Sequence, residues 1–365
     1  MRSFEISVMQ EETVKKPNDL VIGIIVAVIV LGGSASILPL VDEYKEVGVF
    51  LRTIWRWQLL VIYCFPCSLY YFYLKRDDMD VRKIFTVGTC VEFLASAILW
   101  TIASVLFVWS SEYTLVSHSG LLGNLGGVFI VFLNFVRCLP VHRLEIIGAI
   151  VMIIFAIIFV NDNSSTKTNG HTNILFGDII SLCSAPLYGI YYMVSARLLQ
   201  KLPSMVILQV SFTIQLIMNL IFYICFMDTE NFYSFDPHFG FFGWASDTYL
   251  VYSLVFVGTF TGLVGVGGYV FILNFFPPHI VGSILLMEPV LAQILGCILG
   301  QDNMPGFITY LGCFGITVGL GISIKGDLEK SKKQIKNSDQ KCQTSKLDEE
   351  KPLHSSLILS PEGIQ

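Results

Sequence analysis

The sequence predicts an all-α membrane protein, with ten transmembrane helices arranged as two inverted five-helix repeats. Three observations predict it. The 365 residues are 54% hydrophobic and only 14% charged, where a soluble domain carries about 25% charge. Mean hydropathy is +0.67. The apolar residues fall in blocks of about 20, the length that crosses a bilayer as a helix with every backbone group satisfied internally. Finally, sliding the chain on itself by 164 residues lays the fourth and fifth blocks on the ninth and tenth without a gap, with Ser119, Leu121, Leu122 and Gly148 falling on Ser283, Leu285, Leu286 and Gly312. Five helices per repeat is an odd number, so two copies take opposite topology.

The expected spans are 20–40, 52–74, 84–109, 113–135, 142–160, 174–198, 204–227, 249–276, 280–300 and 306–325. The first begins near Leu20 and is long enough to span, so it reads as a signal anchor rather than a cleaved leader. The second opens on "LRTIWRWQLLVI". Only "SSEY" at 110–113 separates the third from the fourth. The eighth and ninth part at "FFPPH", where Pro277 and Pro278 end one helix and permit another. The domains expected are a cytosolic N-terminal tail (1–18), a first repeat (19–161), an outer or lumenal loop (162–173), a second repeat (174–325) and a disordered polar cytosolic tail (326–365).

Orientation follows from Lys and Arg in short loops. With the N-terminus inside, the inner loops hold Lys15, Lys16, Lys75, Arg76, Arg82, Lys83, Arg137, Arg143, Arg197 and Lys201, and the outer loops only Lys45, Arg52 and Lys167. An even span count then puts both termini in the cytosol. Asn163-Ser164-Ser165 is a glycosylation sequon in the loop this scheme places outside.

Composition narrows the function. A net charge of −5, with charge confined to loops and tails, offers no basic surface for nucleic acid. Most cysteines lie inside apolar runs as small packing residues, and the Cys64/Cys67 pair is flanked by Pro66 and apolar side chains rather than by metal-site features. No cofactor and no metal is called for.

The stretch "FGDIISLCSAPLYGIYYMVSARLLQKLP" (176–203) resembles the sixth helix of the drug/metabolite transporter superfamily, the EamA-like and nucleotide-sugar-transporter-like proteins. "LLMEPVLAQILGCILGQD" and "YLGCFGITVGLGISI" (285–324) resemble its ninth and tenth helices, and the start of span two resembles the Arg-aromatic opening of its second. The resemblance covers roughly 20–325 and implies a transporter of small solutes. Two positions depart from the family pattern. Leu299-Gly300 is followed by Gln301 where the family often has Glu, and the first half shows Asn124-Leu125 where the ninth span has Glu288-Pro289.

Within the spans, Glu288 is the leading site candidate. A carboxylate near mid-depth costs about 2.5–3.5 kcal/mol on insertion scales and faces a cavity or a partner. Pro289 lacks an N–H and frees the carbonyl of Leu285. The readings that stand are a substrate contact or a proton-coupling site on one side, and a hydrogen-bonded structural carboxyl beside a kink on the other. Asn124 is its counterpart under the 164-residue shift. His118, Ser119, Trp100, Tyr188 and Tyr191 are further cavity candidates; for the His and the aromatics, packing is the competing reading. Tyr188 shares a helix face with Tyr191 or Tyr192. Gly258 and Gly262 form a small-xxx-small face for close packing and sliding. Arg56 reads as a cation snorkelling at the outer surface, Asp178 as a cap of span six, and Glu92 as facing a vestibule.

The expected function is secondary transport of a small organic solute by alternating access, with H⁺ as a coupling ion and the lipid bilayer as surroundings. No Lys or Arg occurs from Leu202 to Ile324. A nucleotide-sugar-type carrier therefore needs Arg56 or another first-half cation for its phosphates. The rival classes are an intramembrane enzyme and a receptor or scaffold. The "LFGD" at 175–178 lacks the first glycine of an intramembrane aspartyl protease motif, and no large soluble domain serves a receptor.

Overall fold

The computed structural model describes residues 19–34, 49–75, 86–110, 113–114, 116–161, 173–226, 232–236, 238–246, 251, 255–298 and 306–349. Every regular element among them is helical. In chain order they are α1 (Asp19–Ser34), α2 (Val49–Lys75), α3 (Val87–Ser110), α4 (Val116–Gly123), α5 (Gly126–Val136), α6 (Arg143–Val160), α7 (Ile174–Leu199) and α8 (Ser204–Phe226). A π-helical segment (Val257–Val266) leads into α9 (Gly267–Ile272). Then come α10 (Pro278–Ile284), a 3-10 turn (Leu285–Met287), α11 (Glu288–Ile298) and α12 (Phe307–Glu349).

Seven helical stretches are long and apolar enough to cross a membrane: those in α2, α3, α6, α7, α8 and α12, and the combined His118–Val136 stretch of α4 and α5. The first, eighth and ninth expected spans fall on shorter apolar helices, Leu20–Ser34, Gly262–Ile272 and Pro278–Ala292. Residues 35–40, 249–250, 252–254 and 299–300 of those spans lie outside the described residues, as do the N-terminal tail and Asn163.

Two of the membrane segments are interrupted. Between α4 and α5 the helix breaks at Asn124 and Leu125, and between α10 and α11 it tightens to 3-10 just before Glu288. Residue 288 follows residue 124 by 164 positions, so the interruptions sit at matching places. The Gly-rich stretch that includes Gly262 is π-helical, a wound-open form frequent at functional sites.

Glycines set the closest helix crossings. A Cβ on Gly265 would come within 2.9 Å of Gly33 Cα, bringing the π segment backbone-to-backbone against α1. A Cβ on Gly282 would lie 2.6 Å from Gly127 N, so α10 and α5 cross with no side chain between them. A Cβ on Gly262 would strike the Leu60 side chain of α2, which puts that glycine in close packing; the side-chain environment of Gly258 is outside the described residues. The core runs through Trp57, Trp100, Tyr188, Tyr192, Tyr269 and Leu286.

Two sequence expectations are corrected. The polar tail expected to be disordered continues α12 as one helix to Glu349. A helix already formed in the span extends without a new nucleation cost. The cap of α7 is Asn173, whose side chain accepts from Phe176 N at 3.4 Å. Asp178 lies inside the helix and accepts from Thr114 Oγ1 at 2.6 Å.

Candidate functional site

Pro289 cannot donate a helical bond, so the carbonyl of Leu285 is left without its i+4 partner. Asn124 supplies one: its Nδ2 donates to Leu285 O at 3.1 Å and to Glu288 Oε2 at 3.4 Å. The helix break of α4–α5 is thus stapled to that of α10–α11. Pro289 itself rests on the other glycine of the turn before, since a Cβ on Gly120 would come 3.1 Å from Pro289 Cγ. The second carboxylate oxygen of Glu288 lies against α1, where a Cβ on Gly33 would land on Oε1.

Four further groups face this carboxylate. Arg56 of α2 and Tyr188 of α7 lie within electrostatic reach of Glu288 and of each other. Tyr192 also faces Glu288. Tyr269 of α9 turns its hydroxyl toward Glu288 but falls short of hydrogen-bond geometry and has no other partner. Among the described residues neither Arg56 nor Glu288 belongs to an ion pair, and Arg56 Nε is a buried donor with nothing to donate to. Protein surrounds both charged groups, yet each keeps some accessible surface.

Aromatic rings wall the same region. Trp100 packs on Tyr188 at 5.0 Å, on Tyr191 at 4.5 Å and on Tyr192 at 6.4 Å between ring centroids. Trp57 meets Trp100 edge-on at 6.4 Å. The indole nitrogens of Trp57 and Trp100 and the hydroxyl of Tyr192 are buried without partners. An unsatisfied buried donor costs about 1–3 kcal/mol, so a cluster of them marks a place where water or a ligand completes the bonding.

The structure therefore brings Glu288, Asn124, Tyr188 and Trp100 together. Tyr191 packs on Trp100 but faces Ser195, and its neighbour Tyr192 is the one near Glu288. His118 and Ser119 belong to a separate polar seam. His118 Nδ1 lies 3.7 Å from Asp178 Oδ1. Ser119 bonds Ser110 Oγ, donates to Phe107 O at 3.1 Å and receives Ser181 Oγ on its own carbonyl at 2.6 Å. Glu92 pairs with Lys201 at 2.6 Å.

Arg56 is the correction that matters most. It does not snorkel outward; it points into the protein beside Tyr188 and Glu288. Its place near the start of span two suggested an interfacial role, but α2 begins at Val49, so Arg56 stands two turns inside the helix. Tyr269 was hidden in a run of glycines. A hollow of about 600 Å³ near Phe135, Leu139 and Ile146 has an apolar lining and none of these polar groups.

Residues 175–324 match the EamA-like transporter family. No curated protein matches the chain significantly. Among solved structures, a crystal structure described only as that of a protein aligns with a TM-score of 0.60 at 14% identity, over 82% of this chain and 95% of that chain. That likeness concerns the fold. The apolar helices, together with the family match over residues 175–324, make this an integral multi-pass membrane protein.

Proposed function

We propose that this chain, whose residues 175–324 match the EamA-like transporter family, is a secondary transporter that moves a small organic solute by alternating access and exchanges it for a proton at Glu288. The observation that carries the reading is the separation of Arg56 and Glu288. A buried guanidinium and a buried carboxylate stand near each other without an ion pair, beside partnerless aromatic donors. Buried charges left apart are costly unless something completes them. A solute with an anionic group would engage Arg56, and its remaining donors would meet Glu288 and the tyrosines.

The helix pairing supports ten spans in two inverted halves. Counting α4–α5, the π segment with α9, and α10–α11 as one span each, the first span packs on the eighth as the third packs on the sixth. The first also meets the ninth as the fourth meets the sixth, and the second meets the eighth as the third meets the seventh. The second–seventh, fourth–ninth and fifth–tenth pairs complete the set. Exchanging the halves maps each of these contacts between the halves onto another or onto itself. Such a pair of related bundles around a central polar site is the arrangement that rocks between two open states. The Lys/Arg bias supports both termini in the cytosol.

The test is uptake into proteoliposomes from a panel of anionic, zwitterionic, neutral and cationic metabolites, with and without an inward-acidic or outward-acidic gradient. Saturable uptake of a solute with an anionic group, driven by the gradient, is the expected result. Binding without movement would favour a receptor, and conversion of the solute would favour an intramembrane enzyme.

A further inference from the structure

A second cluster lies away from Glu288, where α6, α10 and α12 meet. Glu145 sits in the first turn of α6, His279 near the start of α10, and Asp327 where α12 leaves its apolar stretch. His279 Nε2 is 3.8 Å from Glu145 Oε2 and 3.8 Å from Asp327 Oδ1, and one ligand atom from each of the three lies within 4.8 Å of the others. His279 is 5% exposed, and its Nε2 has no hydrogen-bond partner. Glu145 is 1% exposed.

The spacing is too long for hydrogen bonds. It is a little wider than that of atoms sharing one ion: with metal–ligand bonds of about 2.0–2.2 Å in a tetrahedron, two ligands sit roughly 3.3–3.6 Å apart. The carboxylate of Glu145 is already divided in its work. Oε1 accepts from His142 N at 3.2 Å in the capping box of α6 and faces Lys330 Nζ at 3.7 Å. Oε2 is left turned to His279. A neutral imidazole and two carboxylates form a donor set suited to zinc and its neighbours in the first transition row.

We propose that Glu145, His279 and Asp327 bind a divalent transition-metal ion, zinc foremost, which ties together the ends of three membrane helices. Small rotamer movements of Glu145 and Asp327 close the triad. Lys330 competes with the ion for Glu145, because its ammonium already occupies one side of that carboxylate. The ion would clamp the face that the Lys/Arg bias assigns to the cytosol.

The experiment uses the full chain in detergent or nanodiscs, with Zn²⁺ measured by competition against a chromophoric chelator and Co²⁺ as a spectroscopic probe. The wild type should bind one equivalent more than His279→Gln, and Asp327→Asn should lower affinity by about tenfold or more. Lys330→Met should tighten binding, which no purely ionic role of the cluster explains. Cobalt should give the weak visible bands of nitrogen and oxygen ligands. Should His279→Gln fail to give a monodisperse protein, Asp327→Asn and Lys330→Met carry the test, because Asp327 is partly exposed. Equal metal binding by wild type and Asp327→Asn, weaker binding by Lys330→Met, or a thiolate-to-cobalt charge-transfer band from a cysteine site would each overturn the proposal.

Discussion

Asn124 donates to two acceptors from the far half of the chain, Leu285 O at 3.1 Å and Glu288 Oε2 at 3.4 Å. The first is the carbonyl that Pro289 deprives of its helical donor; the second is the carboxylate beside it. One amide thus joins two helix breaks 164 residues apart. The same bonds hold Glu288 on the side of Arg56, Tyr188 and Tyr269.

Asn124→Leu therefore removes a donor and leaves two buried acceptors unsatisfied. The expected loss is about 1–3 kcal/mol, visible as a lower melting temperature of the purified protein followed by size-exclusion after heating. Asn124→Gln keeps the amide on a longer arm and should lose less. Melting of Asn124→Leu at the wild-type temperature would show that the amide contributes nothing across the halves.

Gly33 tests the position of Glu288 from the other side. A Cβ at residue 33 would land on Glu288 Oε1, so Gly33→Ala must push the carboxylate out of place. Transport should fall severalfold or more while membrane insertion is kept. Gly23→Ala on the same helix is the control, since nothing lies within 4 Å of its added Cβ. Equal transport by the two variants would mean that α1 does not confine Glu288.

How much of this is legible in sequence depends on how local the signal is. The Asn124–Glu288 contact is legible because the repeat shift and the proline act together: one pairs the positions, the other predicts a carbonyl needing a donor. The seven long apolar helices are legible from hydropathy alone. Arg56 is not, because a cation near a span's start has the same local pattern whether it snorkels or turns inward, and only the neighbours from α7 and α11 decide. Glu145, His279 and Asp327 are scattered over loop edges, so no spacing joins them. The helical tail is misread from its polarity, since composition does not register that the preceding span supplies its nucleus.

Arg56 should set affinity for the solute's anionic group. A charge-assisted bond contributes about 1.5–3 kcal/mol, roughly 10- to 100-fold in binding. Arg56→Gln should raise KM by that order for anionic solutes and change neutral competitors little, with Arg56→Lys in between because it loses the two-pronged geometry. A KM unchanged in Arg56→Gln, with normal protein levels, would remove Arg56 from the site.

Asn163 should face the lumen or exterior. A deglycosylating enzyme should shift the mobility of the wild type and not of Asn163→Gln. Labelling of that loop from the cytosol in intact cells would reverse the orientation, and with it the face assigned to the Glu145–His279–Asp327 cluster.

Glu288→Gln separates chemistry from architecture. Glutamine keeps the size of the side chain and an oxygen to accept from Asn124, so the staple between the two helix breaks survives. It cannot take up or release a proton. If Glu288 trades a proton for solute, the variant should reach the membrane, bind solute and exchange labelled for unlabelled solute at equilibrium, because exchange needs only the loaded carrier to move. It should fail to accumulate solute against a gradient when only a pH difference drives it. A structural carboxyl predicts another pattern, in which exchange and driven uptake fall together with protein level or stay together at wild-type values. The paired assay in one batch of proteoliposomes distinguishes them, and gradient-driven accumulation by Glu288→Gln at the wild-type rate would remove proton coupling from this residue while leaving solute transport intact.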